Sequence, residues 1–444
     1  MPLTLLLSIV LWFFATTDGR QIFVKEVLGG AYDSQAEHFL HGNVDVDADA
    51  IGHEAMIVNG RVRMYFGPLP AFIRIPLNFI YPAGHAKWSR ISGFCAGVIA
   101  LFTFAGLVRM ALRSSSLSSR ARNWLGNTCL IGFALGSPLL FLIGNLSIYN
   151  EAIIWGFAWS VAALYFALRA RKCAGAALTG SLLGFSFCAA GALLSRVTFG
   201  LPFLFIAPLL VIKTPRDDRL VNFAALALPL AAGLAFYFWL SYARFGSLTG
   251  LTYNYYINPD HREYARQHGI FNLTRVPYSF VDYFSLAPPS LNFKPPLFRV
   301  GRHYLSVGAP FSLDFSETFL SVPWCSGWLV FGAILGVACL LRPTRTDYFQ
   351  RAMAIALLAE FVCVLSYFAL AQRYTADLYP FLIFCFLTFL AAGGIAVHRT
   401  RYLLIGLVGI SIIINVFATA FWLGSDPNLP TETQTFWSVI AGKH

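Results

Sequence analysis

The chain of 444 residues is 57% hydrophobic and only 12% charged, with a mean hydropathy of +0.64, which excludes an ordinary soluble globular protein and marks an integral membrane protein. Its formal charge of +11 does not argue for a nucleic-acid partner, because the basic residues cluster in short connections between apolar runs, where they set orientation in the bilayer. The eight cysteines lie in or beside apolar runs with no CxxC pair or His cluster, as small buried hydrophobes do, so neither a disulfide framework nor a zinc site is expected.

In chain order, residues 1–16 hold a first apolar segment shorter than the ~20 residues a span requires, readable as a transmembrane segment or as a signal-like core without a basic lead. Residues 17–90 form an acidic, aromatic loop. A helix bundle is expected over 91–242, with runs at about 91–112, 124–144, 148–168, 175–194 and 219–242 and a shorter one at 198–212 bounded by Gly200, Pro202 and Pro215. A long loop over 243–323 precedes C-terminal helices in 324–423, at about 324–341, 352–371, 375–396 and 402–423, and a tail at 424–444. The expectation is an all-α polytopic protein of roughly eleven transmembrane helices. No repeat signals internal symmetry.

Alternate connections carry Arg109, Arg113, Arg120 and Arg122; Arg169, Arg171 and Lys172; Lys213, Arg216 and Arg219; Arg342, Arg345 and Arg351; and Arg399 with Arg401. The positive-inside rule makes these cytoplasmic and sets both long loops and the tail on the extracytoplasmic face. The membrane is read as a bacterial inner membrane.

On that outer face, Asp33, Glu37 and His41 recur at helical spacing beside Ala36, Phe39 and Leu40, which predicts a short amphipathic helix at the membrane surface. A carboxylate there could act as a general base; a solvated polar face is the plainer alternative. Asp45, Asp47 and Asp49 form a DxDxD string that offers oxygen ligands to a divalent cation, but Ala50 and Met56 break the calcium-loop pattern and a solvated turn is preferred. Tyr65 and Phe66 open YFGPLP before 71–80, a stretch too short to span and interrupted by Arg74 and Pro76. It reads as an interfacial or re-entrant helix, serving as an aromatic anchor or as a platform for an isoprenoid or sugar. Tyr149, Asn150 and Glu151 open a span after a short outer turn, where Glu151 either serves the site or caps the helix.

Arg196 and Arg373 are the basic residues of the short outer connections, so each could hold a lipid phosphate; snorkelling or pairing with Asp377 is the alternative. Glu360 falls in the middle of an apolar run, where an ionisable group is costly and functional by default. The 243–323 loop, rich in Tyr, Phe, Pro and Asn, suits a carbohydrate platform or a lid, with Arg244, Asn254 and Tyr255 as contact candidates. Sequons begin at Asn145 and Asn272.

Five stretches, AYDSQAEHFLHGNVDV, NGRVRMYFGPLPAF, IYNEAIIWG, SRVTFGLP and QRYTADLYP, together resemble the polytopic glycosyltransferases of the GT-C fold class, which use lipid-linked sugars and include protein mannosyltransferases and aminoarabinose transferases. The resemblance implies a catalytic carboxylate in the first outer loop and an outer cavity for a polyprenyl-phosphate sugar. Asp33 is the best positional match; Ser34 follows it where an Asp-Glu pair is commoner, which leaves Asp18 and Glu37 as substitutes. The catalytic candidates are thus Asp33, Glu37 and Glu151. The substrate-binding candidates are Tyr65, Phe66, Tyr149, Arg196, Arg244, Asn254, Tyr255, Arg373, Tyr374 and Asp377. The implied reaction is an inverting displacement onto a glycan, lipid or protein acceptor, with general-base assistance supplying ~10²–10⁴-fold and the rest coming from positioning and phosphate stabilisation. No P-loop or dinucleotide glycine pattern calls for a nucleotide. The rival readings are a transporter or lipid-linked oligosaccharide flippase, for which Glu360 is the one midplane ionisable group, and a polysaccharide polymerase or ligase.

Overall fold

The computed structural model describes residues 2–115, 117–211, 218–248, 253–291, 298–299, 317, 319–342, 346–393 and 398–442. Lys213, Pro215, Arg216 and Arg345 of the sequence reading, and much of the 243–323 loop, lie outside them. Nineteen α-helices and two small hairpins are formed by the described residues. The first loop contributes α2 (Ala31–Leu40), α3 (Ala48–Ile51) and α4 (Leu69–Ile80) after the opening helix α1 (Pro2–Ala15). The bundle follows as α5 (Ser89–Arg113), α6 (Ser119–Leu135), α7 (Pro138–Gly144), α8 (Ile148–Ala170), α9 (Gly175–Ser195), α10 (Val197–Val211) and α11 (Arg219–Phe245). The second loop carries α12 (Pro259–His268) and α13 (Val276–Tyr283), and the C-terminal part α14 (Val322–Cys325), α15 (Gly327–Leu340), α16 (Tyr348–Leu365), α17 (Tyr379–Ala391), α18 (His398–Leu423) and α19 (Thr431–Ile440).

By length and apolarity, seven helices among the described residues can cross a membrane, and eight if the bent pair α6–α7 is one span. The eleven expected from composition are not reached on that criterion: α1, α10 and α15 are apolar but shorter. The run at 124–144 breaks at Gly136-Ser137-Pro138 with a 41° bend. Pro138 cannot donate back to Ala134, and at the break the Gly136 carbonyl accepts from Ser326 Oγ at 2.8 Å and Trp328 Nε1 at 2.9 Å, as backbone at membrane depth requires.

Helix packing follows small residues. On α5, Ala96, Ala100, Phe104, Leu107 and Ala111 form one buried stripe, from which Phe104 stacks on Phe133 of α6 at 4.1 Å, and α5 also packs against α8. On α9, Gly184 and Gly191 lie so close to Phe166 and Trp159 that an added Cβ would meet their rings at 2.8 and 2.9 Å, the close approach that replaces a hydrophobic driving force between helices in lipid. Helix α11 keeps only 22% of its span buried and turns Leu220, Phe223, Leu228 and Trp239 outward. All eight cysteines are free.

The first loop is a folded cap. Hairpin β1 (Met56–Val58) and β2 (Arg61–Arg63) pairs Met56 with Arg63 and Val58 with Arg61. It turns on Asn59 and Gly60 at φ 52° and 77°, the pair that a tight hairpin turn demands. Tyr32, Ala36, Ile51, Met64, Phe66 and Ala71 of the cap share a core with Ile148 and Ala152 of α8. The second loop docks on this cap: Ile257 N–H donates to Ala55 O at 2.9 Å, and Tyr253 and Tyr256, together with Phe368 from the connection after α16, pack with Met56 and Val58. A second short hairpin pairs β3 (Ser290–Leu291) with β4 (Phe298–Arg299). The tail is also folded: α19 packs on α18, and Thr433 accepts from Arg90 Nη2 at 2.8 Å in a buried network with Glu26.

Candidate functional site

A cavity of about 150 Å³ opens where the first loop meets one end of the bundle. Its walls come from the N-terminal turn of α8, the junction of α9 with α10, the last turns of α11, the end of α16 and the 3-10 turn Gln372–Leu378. Three guanidiniums, Arg196, Arg244 and Arg373, share the lining with Tyr65, Phe66, Tyr149, Tyr253, Tyr367 and Tyr374. The connections rich in arginine, including Arg113, Arg171 and Arg342, leave the bundle at the opposite helix ends.

Each arginine is held differently. Arg196 follows the last residue of α9, where Nε donates to Asp377 Oδ1 and to Thr198 Oγ1, both at 3.1 Å. Arg373 pairs with Glu317 and stands 4.6 Å from the ring centroid of Tyr149 and 5.0 Å from that of Tyr374. Arg244, in the last turn of α11, is 4% exposed and donates Nη1 to Phe66 O at 2.9 Å. Its Nε and Nη2 have no hydrogen-bond partner among the described residues. That is an expensive condition for a buried charge and suits an anion in the cavity. Arg63, paired with Asp45 at 2.7 Å, donates to Ala243 O and Arg244 O. It thereby satisfies the carbonyls that end α11 and anchors Arg244.

The carboxylates form three separate groups. Asp33 and Glu151 face each other across Arg74: Nε to Asp33 Oδ2 is 3.3 Å, Nη2 to Glu151 Oε1 is 2.6 Å, and all three side chains are fully buried. This triad pins α2, α4 and α8 together, and neither carboxylate is among the residues lining the cavity. Glu37, four residues from Asp33, is 56% exposed at its side chain and meets His85 at 3.0 Å. The helical spacing therefore does not produce one polar face: α2 packs on α4, turning Asp33 inward to Arg74. The third group is Glu54, whose carboxylate accepts from Tyr149, from Tyr65 at 2.9 Å and from Tyr256 at 3.0 Å. Burial, then the neighbouring Glu54 charge, pushes the Tyr65 and Tyr256 phenols up, so they remain protonated donors.

Of the sequence candidates, Tyr65, Phe66, Tyr149, Arg196, Arg244, Arg373 and Tyr374 meet in the one cavity. Asp377 lies behind Arg196 and Thr198; its arginine partner is Arg196, while Arg373 takes Glu317. Asn254 and Tyr255 are outside the lining, with Asn254 exposed and Tyr255 stacked at 6.5 Å on Phe245. Asp18, considered as a substitute base, pairs with Arg20 at 3.1 Å and lines a different cleft beside α19. Glu360 is fully buried with neither oxygen hydrogen-bonded, and it does not line the cavity. Two aspartates of the DxDxD string are engaged, Asp45 holding Arg63 and Asp47 accepting from Ser34 at 2.6 Å and contacting His38 at 3.2 Å, while Asp49 is exposed. Among the described residues no group of His, Cys, Asp or Glu could hold a metal ion.

Sequence reasoning missed Glu54, and it read Arg74 only as an interruption. Arg74 carried a usable signal, since a charge inside an apolar helical stretch needs partners. Glu54 carried none, because its phenol partners stand 11, 95 and 202 residues away.

No protein-family model matches the chain, and no curated protein matches it by sequence. Among solved structures it is similar to ArnT from Cupriavidus metallidurans bound to undecaprenyl phosphate, at 16% identity and a TM-score of 0.51 over 99% of this chain and 69% of that one. It is similar as well to the apo oligosaccharyltransferase of Archaeoglobus fulgidus, at 12% identity and a TM-score of 0.51 over 98% of this chain and 59% of that one. The chain thus spans under two thirds of the length of the second relative. The helical bundle with its folded first-loop cap is the GT-C fold.

Proposed function

We propose that the protein is a membrane glycosyltransferase that moves a sugar from a polyprenyl-phosphate donor to a glycan, lipid or protein acceptor on the extracytoplasmic face of a bacterial inner membrane. The observation that carries this reading is Arg244, buried beside the cavity with two unpartnered donor atoms. Arg196 is balanced by Asp377 and Arg373 by Glu317, so of the three guanidiniums that line the cavity Arg244 is the one without a carboxylate partner among the described residues. A sugar phosphodiester brings one negative charge. The tyrosines around it offer ring faces to a sugar and hydroxyls to its oxygens. The fold supports the reading, and so does the relative solved with undecaprenyl phosphate.

In the reaction the acceptor oxygen attacks the anomeric carbon as the carbon–oxygen bond to phosphate breaks on the other side, inverting that centre. The arginines stabilise the charge that gathers on the leaving phosphate. A carboxylate of the first outer loop supports loss of the acceptor proton. Asp33 was the leading candidate, and its full burial against Arg74 makes its access to an acceptor dependent on that ion pair opening.

The test supplies the detergent-purified chain with undecaprenyl-phosphate glucose or undecaprenyl-phosphate arabinose and a delipidated envelope extract, then measures sugar transfer. Arg244→Met is expected to raise the donor KM about tenfold or more, the loss of a charge-assisted contact worth ~1.5–3 kcal/mol. Lipid translocation without transfer would instead support the flippase reading, and an unaltered KM would remove Arg244 from the donor site.

A further inference from the structure

Displacement at the anomeric carbon needs a proton acceptor, yet among the described residues no carboxylate lines the cavity, and Asp33 and Glu151 are closed behind Arg74. Of the carboxylates directly behind the wall, Asp377 is held by Arg196 and Glu317 by Arg373, whereas Glu54 is held by phenols. Two of the phenols that donate to it, Tyr65 and Tyr149, belong to the lining. A phenol that gives its proton to a carboxylate keeps its oxygen lone pairs for another donor, which fits the hydroxyl of an incoming acceptor. The Arg373 guanidinium, 4.6 Å from the Tyr149 ring centroid, favours electron density on that phenol as it exchanges protons. On the solvent side, His53 Nε2 lies 3.2 Å from the Tyr149 hydroxyl and 3.9 Å from the Glu54 carboxylate, with its side chain 68% exposed.

We infer that Glu54 takes up the acceptor proton through Tyr149 and that His53 passes it to water. The inference rests on the glycosyltransferase reading above. As the acceptor oxygen bonds to the anomeric carbon, its proton moves to Tyr149 Oη while the Tyr149 proton moves to Glu54 Oε1; the electron pair of the breaking carbon–oxygen bond leaves on the lipid phosphate. Nothing is oxidised or reduced. Glu54 acts through Tyr149 and positions it. The groups facing Glu54 are His53 and Tyr65 of the cap, Tyr149 of α8, with Arg373 over its ring, and Tyr256 of the second loop, against which His261 stacks at 5.2 Å.

The experiment measures kcat and donor KM across pH for the full chain in detergent, with undecaprenyl-phosphate glucose and undecaprenyl-phosphate arabinose as donors and delipidated envelope extract as acceptor. Glu54→Gln and Tyr149→Phe are each expected to lower kcat by about 10²-fold with donor KM within about threefold. The double variant should be no slower than about either single one. Glu54→Asp should recover part of the rate. Should Glu54→Gln fail to fold, Tyr149→Phe decides alone, since it keeps the ring under Arg373. Either variant retaining kcat within about threefold, or losing rate only through KM, overturns the inference. So does Asp33→Asn abolishing turnover while Glu54→Gln keeps it. If wild type transfers no sugar from either donor, the function proposed above falls with it; an active wild type beside an active Glu54→Gln overturns this inference alone.

Discussion

Arg74 and Arg244 are both buried guanidiniums, and their surroundings separate their tasks. Arg74 has carboxylates on either side and closes the contact between α2, α4 and α8. Arg74→Met would leave Asp33 and Glu151 buried without a counter-charge, costing about 3–5 kcal/mol; detergent-resistant thermal unfolding of the purified variant should show a large downward shift. Arg244 has no carboxylate partner, so Arg244→Met relieves an unpaired buried charge. Its effect should therefore fall on donor KM while the unfolding temperature holds or rises. Asp47 provides a pH-dependent contact of the cap. The hydrogen bond from Ser34, then that from His38, holds its carboxyl below the usual aspartate value. A depressed pKa contributes stability that is complete above the ordinary aspartate value of about 3.9 and is lost as pH falls through the lower folded value. Acid titration followed by near-ultraviolet circular dichroism should show the cap loosening in that window. Ser34→Ala should move the loss to higher pH.

At the scale of elements, the cavity depends on close backbone approach. Gly67 leads from the hairpin into α4, and a Cβ there would strike the backbone of Leu194 and Ser195 at the end of α9. Gly67→Ala should thus push the cap away from the α9–α10 junction, destabilising by about 1–3 kcal/mol and widening the gap around Arg196. Faster proteolysis within the first loop would report that displacement, and unchanged cleavage would count against it. The helix boundaries show how local signals behave. Helix α2, α4 as a short helix and the Asn59-Gly60 turn follow from residue spacing and turn chemistry. The break between α6 and α7 could be anticipated from Pro138, but its toleration could not, because the carbonyl of Gly136 is satisfied by Ser326 and Trp328 from the other half of the chain.

Over the whole molecule, both loops and the C-terminal tail fold onto one end of the helix bundle. The basic connections occupy the other end, as the charge distribution among the apolar runs anticipates. Apolar runs, their flanking charges and the clustering of tyrosines and isolated arginines in outer segments are properties of neighbouring residues. They sufficed for the membrane class, for the helical architecture and for seven side chains that line the cavity. Which side of α2 faces inward is a different kind of fact. Asp33 and Glu37 have the same type of side chain one turn apart, and only the packing of α2 on α4 decides that one is sealed against Arg74 while the other meets solvent. Glu54 gains its place the same way, from phenols on the first loop, α8 and the second loop. Local pattern therefore determined that this chain builds a membrane bundle with a cationic, aromatic cavity at one end; the tertiary structure alone decided which carboxylate the tyrosines of that cavity enclose, because the hydrogen bonds that position Glu54 join residues as far as 202 positions apart.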